Sequence, residues 1–133
     1  MIHEQLLAAA ARLLKPGGRL FILSPNAHGI SAWLLGGRWW VFGPTDHLVM
    51  FSAGSLVNLA QLKGFKTLVL KSRQVAPLFP PQDEAKHPLL TKGFNELARF
   101  SALQRLVTFF NVGDWIFFVG EKTDSPGTRT ERN

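Results

Sequence analysis

The sequence predicts an α/β fold, and three observations carry that prediction. Helical apolar patterns alternate with short apolar runs along the chain. A Pro16-Gly17-Gly18 turn joins the first helical stretch directly to the first apolar run. The length, 133 residues, suits one domain able to bury a core of its own.

Residues 4–14, EQLLAAAARLL, read as the first helix, with Leu6, Leu7, Ala10, Leu13 and Leu14 at three- and four-residue spacing. Pro16-Gly17-Gly18 stops it, since proline cannot continue a helix and glycine readily turns left-handed. Residues 19–24, RLFILS, follow at once. A continuous apolar run bounded by turn signals predicts a strand buried on both faces, and the helix–turn–strand order predicts a parallel sheet. Ser24-Pro25-Asn26 ends the strand and opens a connection of about 25 residues rich in Gly, Trp and His, with a short helix expected at Ser31–Leu35.

Ser52 is the expected N-cap of a helix over 53–63, with Leu56, Leu59, Ala60 and Leu62 as its buried stripe and Gly64 closing it. Residues 65–72 read as the second strand and 114–122 as the last. Between them, 75–93 is proline-rich and reads as irregular. Residues 94–110 read as one helix, with Leu97, Phe100, Leu103, Val107 and Phe110 along one side. The polar tail, 123–133, is expected to be disordered. There is no internal repeat.

Composition narrows the function classes. Hydrophobic residues make up 46% and charged residues 18%, which argues against general disorder. With no cysteine, a disulfide scaffold, a thiolate zinc site, an iron–sulfur cluster and a cysteine nucleophile are all excluded. His3, His28, His47 and His87 form no H-x-x-x-H or H-E-x-x-H pair, so no metal site is expected. Asp46 beside His47 is a neighbour in sequence and not part of a triad. The net charge is +6, but the cations run from Arg12 to Arg132 without a dense block, a pattern that reads as a solvated surface more than a nucleic-acid face. No apolar stretch approaches the length of a spanning helix and the N-terminal segment shows no cationic region before an apolar core and a small-residue cleavage site, so a cytoplasmic location is the expectation.

Two places draw chemical interest. Asn26 follows the first strand at its C-terminal end, where ligands gather in open α/β sheets; its amide could meet a ligand or form an Asx turn. Trp33, Trp39, Trp40 and Phe42 crowd one loop and could line a pocket or form a satellite core. His28 has no convergent partner and reads as a surface residue.

Four segments in order carry a family resemblance: Leu13-Leu14-Lys15-Pro16-Gly17-Gly18 with Arg19–Leu23, then Ser24-Pro25-Asn26, then His47-Leu48-Val49-Met50-Phe51-Ser52, then Leu59 through Gly64-Phe65. Together they resemble the C-terminal half of a class I S-adenosylmethionine-dependent methyltransferase, nearest to the ubiquinone-biosynthesis O-methyltransferase branch. The resemblance covers roughly 1–74 and 114–122. It implies a partial Rossmann-like sheet, with strands resembling the fifth, sixth and seventh of the family. On that reading 1–122 is the C-terminal part of a methyltransferase-like domain and 75–113 a variable insertion.

The resemblance implies methyl transfer from S-adenosylmethionine to a small-molecule or lipid-linked acceptor, most simply at oxygen. It places His47 in a loop bordering the acceptor, where it could contact the acceptor or act as a general base, or else cap the following helix or bond a loop carbonyl; Asn26 and Trp40 are read with it as acceptor-side residues. The chain departs from the family where the cofactor would bind: no G-x-G-x-G follows a strand, and no carboxylate is placed to hold a ribose. His3-Glu4 lies out of register with the family's "EH" pair. The expectation is therefore a fragment or split enzyme, completed by an N-terminal half. The alternative is a non-catalytic interaction module, whose uncovered strands recruit a partner or self-associate. The apolar 94–110 helix with Arg99 and Arg105 reads as packing on the sheet or a partner, with membrane-surface contact as the alternative.

Overall fold

In the computed structural model, residues 2–43, 50–75, 77, 79–80 and 85–124 are described. Helix α1 spans Ile2–Leu13 and leads through the Pro-Gly-Gly turn into strand β1, Arg19–Pro25. Gly17 holds φ +76°, a conformation that a side chain would strain, and its amide donates to Lys122 O at 2.9 Å. The turn therefore does more than reverse the chain: it ties the start of β1 to the far end of the last strand.

Helix α2 is Ile30–Leu35, followed by single 3₁₀ turns at Gly36–Arg38 and Trp40–Phe42. Helix α3 is Ala53–Leu62. Ser52 caps it as expected, in a reciprocal box with Ser55: the Ser55 amide donates to Ser52 Oγ at 3.1 Å and the Ser52 amide to Ser55 Oγ at 2.9 Å. Strand β2 is Phe65–Arg73, helix α4 Pro88–Arg99, helix α5 Ser101–Phe109, and strand β3 Trp115–Lys122.

The fold is α/β, but its sheet is not parallel. The strand order is β1-β3-β2, with β3 antiparallel to both neighbours. β1 and β2 run in the same direction and never pair. The local helix–turn–strand signal fixes the direction of successive strands and leaves their neighbours open. β3, the richest in large apolar residues (Trp115, Ile116, Phe117, Phe118, Val119), takes the central place where both its edges are bonded.

One face of the sheet carries the core. Leu56 and Ala60 of α3 pack with Phe65, Ile116 and Phe118, all buried, and Ala10 and Ala11 of α1, with Leu14 just past it, close the cluster. The other face is bare. Phe21 pairs with Val119 and Leu23 with Phe117 across one ladder, while Val69 pairs with Val119 across the other. Residues directly opposite share a face, yet Phe21 is 72% exposed and Leu23 59%. The expectation that β1 is buried on both faces is therefore corrected: over Phe21 and Leu23 the second face is uncovered.

The second correction concerns 75–110. The proline-rich stretch does not stay irregular, because Pro88 opens α4 at its first turn, where the missing N–H costs nothing. Nor is 94–110 one helix. Phe100 adopts φ −66°, ψ 118° and breaks the run into α4 and α5. The break scatters the expected stripe: Val107 is buried, while Leu97, Phe100 and Phe110 are exposed. Among the described residues no helix is long and apolar enough to cross a membrane.

Candidate functional site

Because β1 and β2 run the same way, their C-terminal ends lie together, and β3 begins between them. Three polar side chains from separate stretches converge there: Asn26 just past β1, Gln74 just past β2, and Asp114 just before β3. All three are buried. The Asn26 amide N–H donates to Asp114 O at 2.7 Å, which carries the β1–β3 ladder one residue further.

Asn26 uses its whole side-chain amide locally. Nδ2 donates to Gly113 O at 2.8 Å and Asn111 O at 3.0 Å, and Oδ1 accepts from the His28 amide at 3.1 Å. The last of these is the Asx turn foreseen at this position. The two donations across to the α5–β3 connection have no counterpart in sequence reasoning, because their partners are backbone carbonyls 85 and 87 positions away.

Asp114 is the group that the sequence reading missed. Its Oδ1 accepts from the Ser31 amide at 2.9 Å, and its Oδ2 accepts from the Ser31 hydroxyl and from Gln74 Nε2. Burial pushes its carboxyl above the usual carboxylate range, and the Ser31 and Gln74 hydrogen bonds hold it back. The only sequence signal is an acidic residue opening a strongly apolar strand, where a charge needs partners.

Gly113, just before it, lies against Arg73. A Cβ there would come within 2.5 Å of the Arg73 backbone, so only glycine lets β2 and the α5–β3 connection pass this closely. Ser72 and Thr108 complete the join. The Gly113 amide donates to Ser72 Oγ at 2.9 Å, and Thr108 Oγ1 donates to Ser72 O at 2.9 Å.

Two cavities flank this cluster. The larger, about 1080 Å³, opens between the end of β2 and the α4–α5 pair; Gln74 lines it, with Arg73, Arg99 and Arg105. The smaller, about 410 Å³, is bounded by His28, Gly29, Trp33 and Val112 among others.

The tryptophans divide. Trp39 and Val41 are buried in a satellite core with Ala32, flanked by Trp40, Phe42, Met50 and Trp115. Trp33 lies outside it, 83% exposed, on the wall of the smaller cavity. Trp40 is half-buried, and its indole N–H donates to Pro77 O at 3.0 Å, against a residue of the larger cavity wall. His28 is exposed at the smaller cavity. His47 lies outside the described residues.

The Gly17 and Gly18 amides are already bonded to Lys122 O and Lys15 O. Glu96 and Glu121 meet Arg99 and Arg19, and Asp114 is enclosed by its donors. What the strand ends offer is a polar junction beside a large cavity, the arrangement of a ligand site on an α/β sheet.

Residues 3–70, which are 68 of the 133, match the family described as a methyltransferase domain. No curated protein matches the chain.

Proposed function

Because the chain belongs to the methyltransferase-domain family, we propose that it supplies the acceptor side of a methyl transfer from S-adenosylmethionine to a small-molecule or lipid-linked acceptor, at oxygen. The observation that carries this reading is the junction of Asn26, Gln74 and Asp114 at the common C-terminal end of β1 and β2, beside a cavity of about 1080 Å³. In this reading a separate N-terminal half holds the methyl donor, because no G-x-G-x-G follows a strand in the chain.

Within this reading the residues divide their work. His47 is the general base that takes the acceptor proton, as an imidazole titrating near neutrality can. Trp40 shapes the acceptor wall through Pro77. Asn26 is a positioning residue, because its side-chain amide is committed to the backbone of the α5–β3 connection and to the His28 amide. Methyl transfer asks mostly for alignment of acceptor and methyl group, and a rigid strand-end junction provides it.

Calorimetry with S-adenosylmethionine tests the reading. The chain alone should give no binding heat, and one-to-one binding should appear when the N-terminal half of an intact family member is added. One-to-one binding by the chain alone would overturn the division into halves. Methyl transfer to no acceptor after both halves are combined would overturn the activity.

A second reading rests on the bare sheet face. Phe21, Leu23, Val69 and Phe117 leave one side of the sheet apolar and uncovered, and among the described residues the outer edge of β1 carries only the Asn26–Phe51 bridge. An interaction module would use this face without chemistry. Sedimentation at rising concentration separates the two: self-association abolished by Leu23→Lys favours the module, and a monomer throughout removes it.

A further inference from the structure

The larger cavity has a charge that the methyl-transfer reading does not require. Arg73 ends β2, Arg99 lies in the last turn of α4, and Arg105 lies in α5; all three line the same space. No carboxylate lines it among the described residues. Among the described residues, Glu96 meets Arg99 Nη1 at 3.3 Å in an exposed pair, an interaction of small energy at the surface. Three arginines from separate elements line one space, and their like charges gain nothing from one another. Their mutual repulsion is relieved only by an anion between them or by water and counterions.

The rest of the wall is specific as well. Ser101 lines the cavity at the first turn of α5, where Phe100 supplies no side-chain cap to the free amides. The lining also includes apolar Val75, Pro77 and Phe109. Gln104 fixes the space by donating to Gln74 O and Ala98 O, which joins α4, α5 and the end of β2 into one frame.

We infer that this cavity binds an organic anion, with its oxyanion group held by Arg73, Arg99 and Arg105 and its apolar body against Val75, Pro77 and Phe109. Guanidinium forks match phosphate and carboxylate oxygens in pairs, and no other side chain does so in the same geometry. That the anion is the methyl acceptor rests on the function proposed above; that the cavity takes an anion does not.

The test uses 1-naphthyl phosphate and 1-naphthol, which share one apolar body and differ in the anion, titrated into the full chain by calorimetry. The phosphate should bind at least tenfold more tightly than the naphthol. Arg73→Gln combined with Arg105→Gln should remove that preference and leave naphthol binding unchanged. Arg12→Gln, on α1 away from the cavity, should change neither. Both cavity arginines are exposed, so the double variant should keep the circular dichroism spectrum and melting temperature of the parent. Equal affinity for the two probes, or an equal loss with Arg12→Gln, would overturn the assignment. So would binding to phosphatidylglycerol vesicles without binding of the soluble phosphate, which would make the arginines a lipid-facing surface. Anion binding without methyl transfer in the combined halves would remove the activity and leave this site standing. Methyl transfer with no anion binding would do the reverse.

Discussion

The sheet layer and the α4–α5 pair are both rich in apolar side chains, but only the layer builds a sealed core from them. In the layer of α1, β1, α3, β2 and β3, the cluster of Leu56, Ala60, Phe65, Ile116 and Phe118 is sealed from solvent. In the α4–α5 pair only Thr91 and Val107 are buried, while Leu89, Leu90, Leu97, Phe100, Leu106, Phe109 and Phe110 stand in solvent. The difference teaches where this chain keeps its stability and where it keeps its freedom. A region with few buried apolar contacts opens at low cost, and this one forms a wall of the larger cavity. It is held by few links, chiefly Ser72 Oγ to Val107 O, Thr108 Oγ1 to Ser72 O, and Gln104 to Gln74 O.

The largest expected effect lies in the sealed layer. Phe118→Ala should lower unfolding stability by about 3–5 kcal/mol, read by chemical denaturation, because it empties the centre of the core. A loss near zero would mean that the layer is not the stabilising half.

Next comes the joint between the regions. Asn26→Ala removes the donors to Asn111 O and Gly113 O and should cost about 1–3 kcal/mol, since buried carbonyls lose their partners. Hydrogen exchange should rise in α5 and the start of β3 before it rises in α3.

Asp114 gives a pH-dependent version of the same test. Its folded carboxyl lies above the ordinary 3.8, so the folded state holds its proton more tightly than the unfolded state. Its contribution is therefore fully present below the ordinary carboxylate range and is lost as pH rises through the raised value. The melting temperature of the parent should fall relative to Asp114→Asn as pH is raised from about 4 to 7. Parallel curves would show that the carboxyl is not perturbed by burial.

The smallest effect belongs to the exposed helices. Leu97→Ala should change stability by no more than about 0.5 kcal/mol. A loss of 2 kcal/mol or more, of the order found on emptying a core site, would mean that the exposed face of α4 is covered in solution.

Where the signal was local, the elements were legible. The Pro-Gly-Gly turn, the Ser52 cap and the Gly64 stop bound α1, β1, α3 and β2 to within two residues, since each is a short-range event between neighbours. Pro88 was read as a breaker although it starts α4, because proline at a first turn and proline in a loop look alike without the residues that follow being placed. The halt at Phe100 left no mark, since a phenylalanine can continue a helix. At the site, the Asx turn of Asn26 was legible, being two residues long. Asp114 was not, because its partners Ser31 and Gln74 lie 83 and 40 positions away.

By itself, the sequence determined the α/β alternation, the direction of β1 and β2, the capped helix between them, and membership of the methyltransferase-domain family through residues 3–70. Those properties come from side-chain spacing and turn chemistry, which act over a few residues. Only the tertiary structure decided that β3 would sit between β1 and β2, that one sheet face would stay bare, and that three arginines would face one cavity. Strand neighbours and converging charges depend on which surfaces meet, and that is settled by burial of the whole apolar set at once.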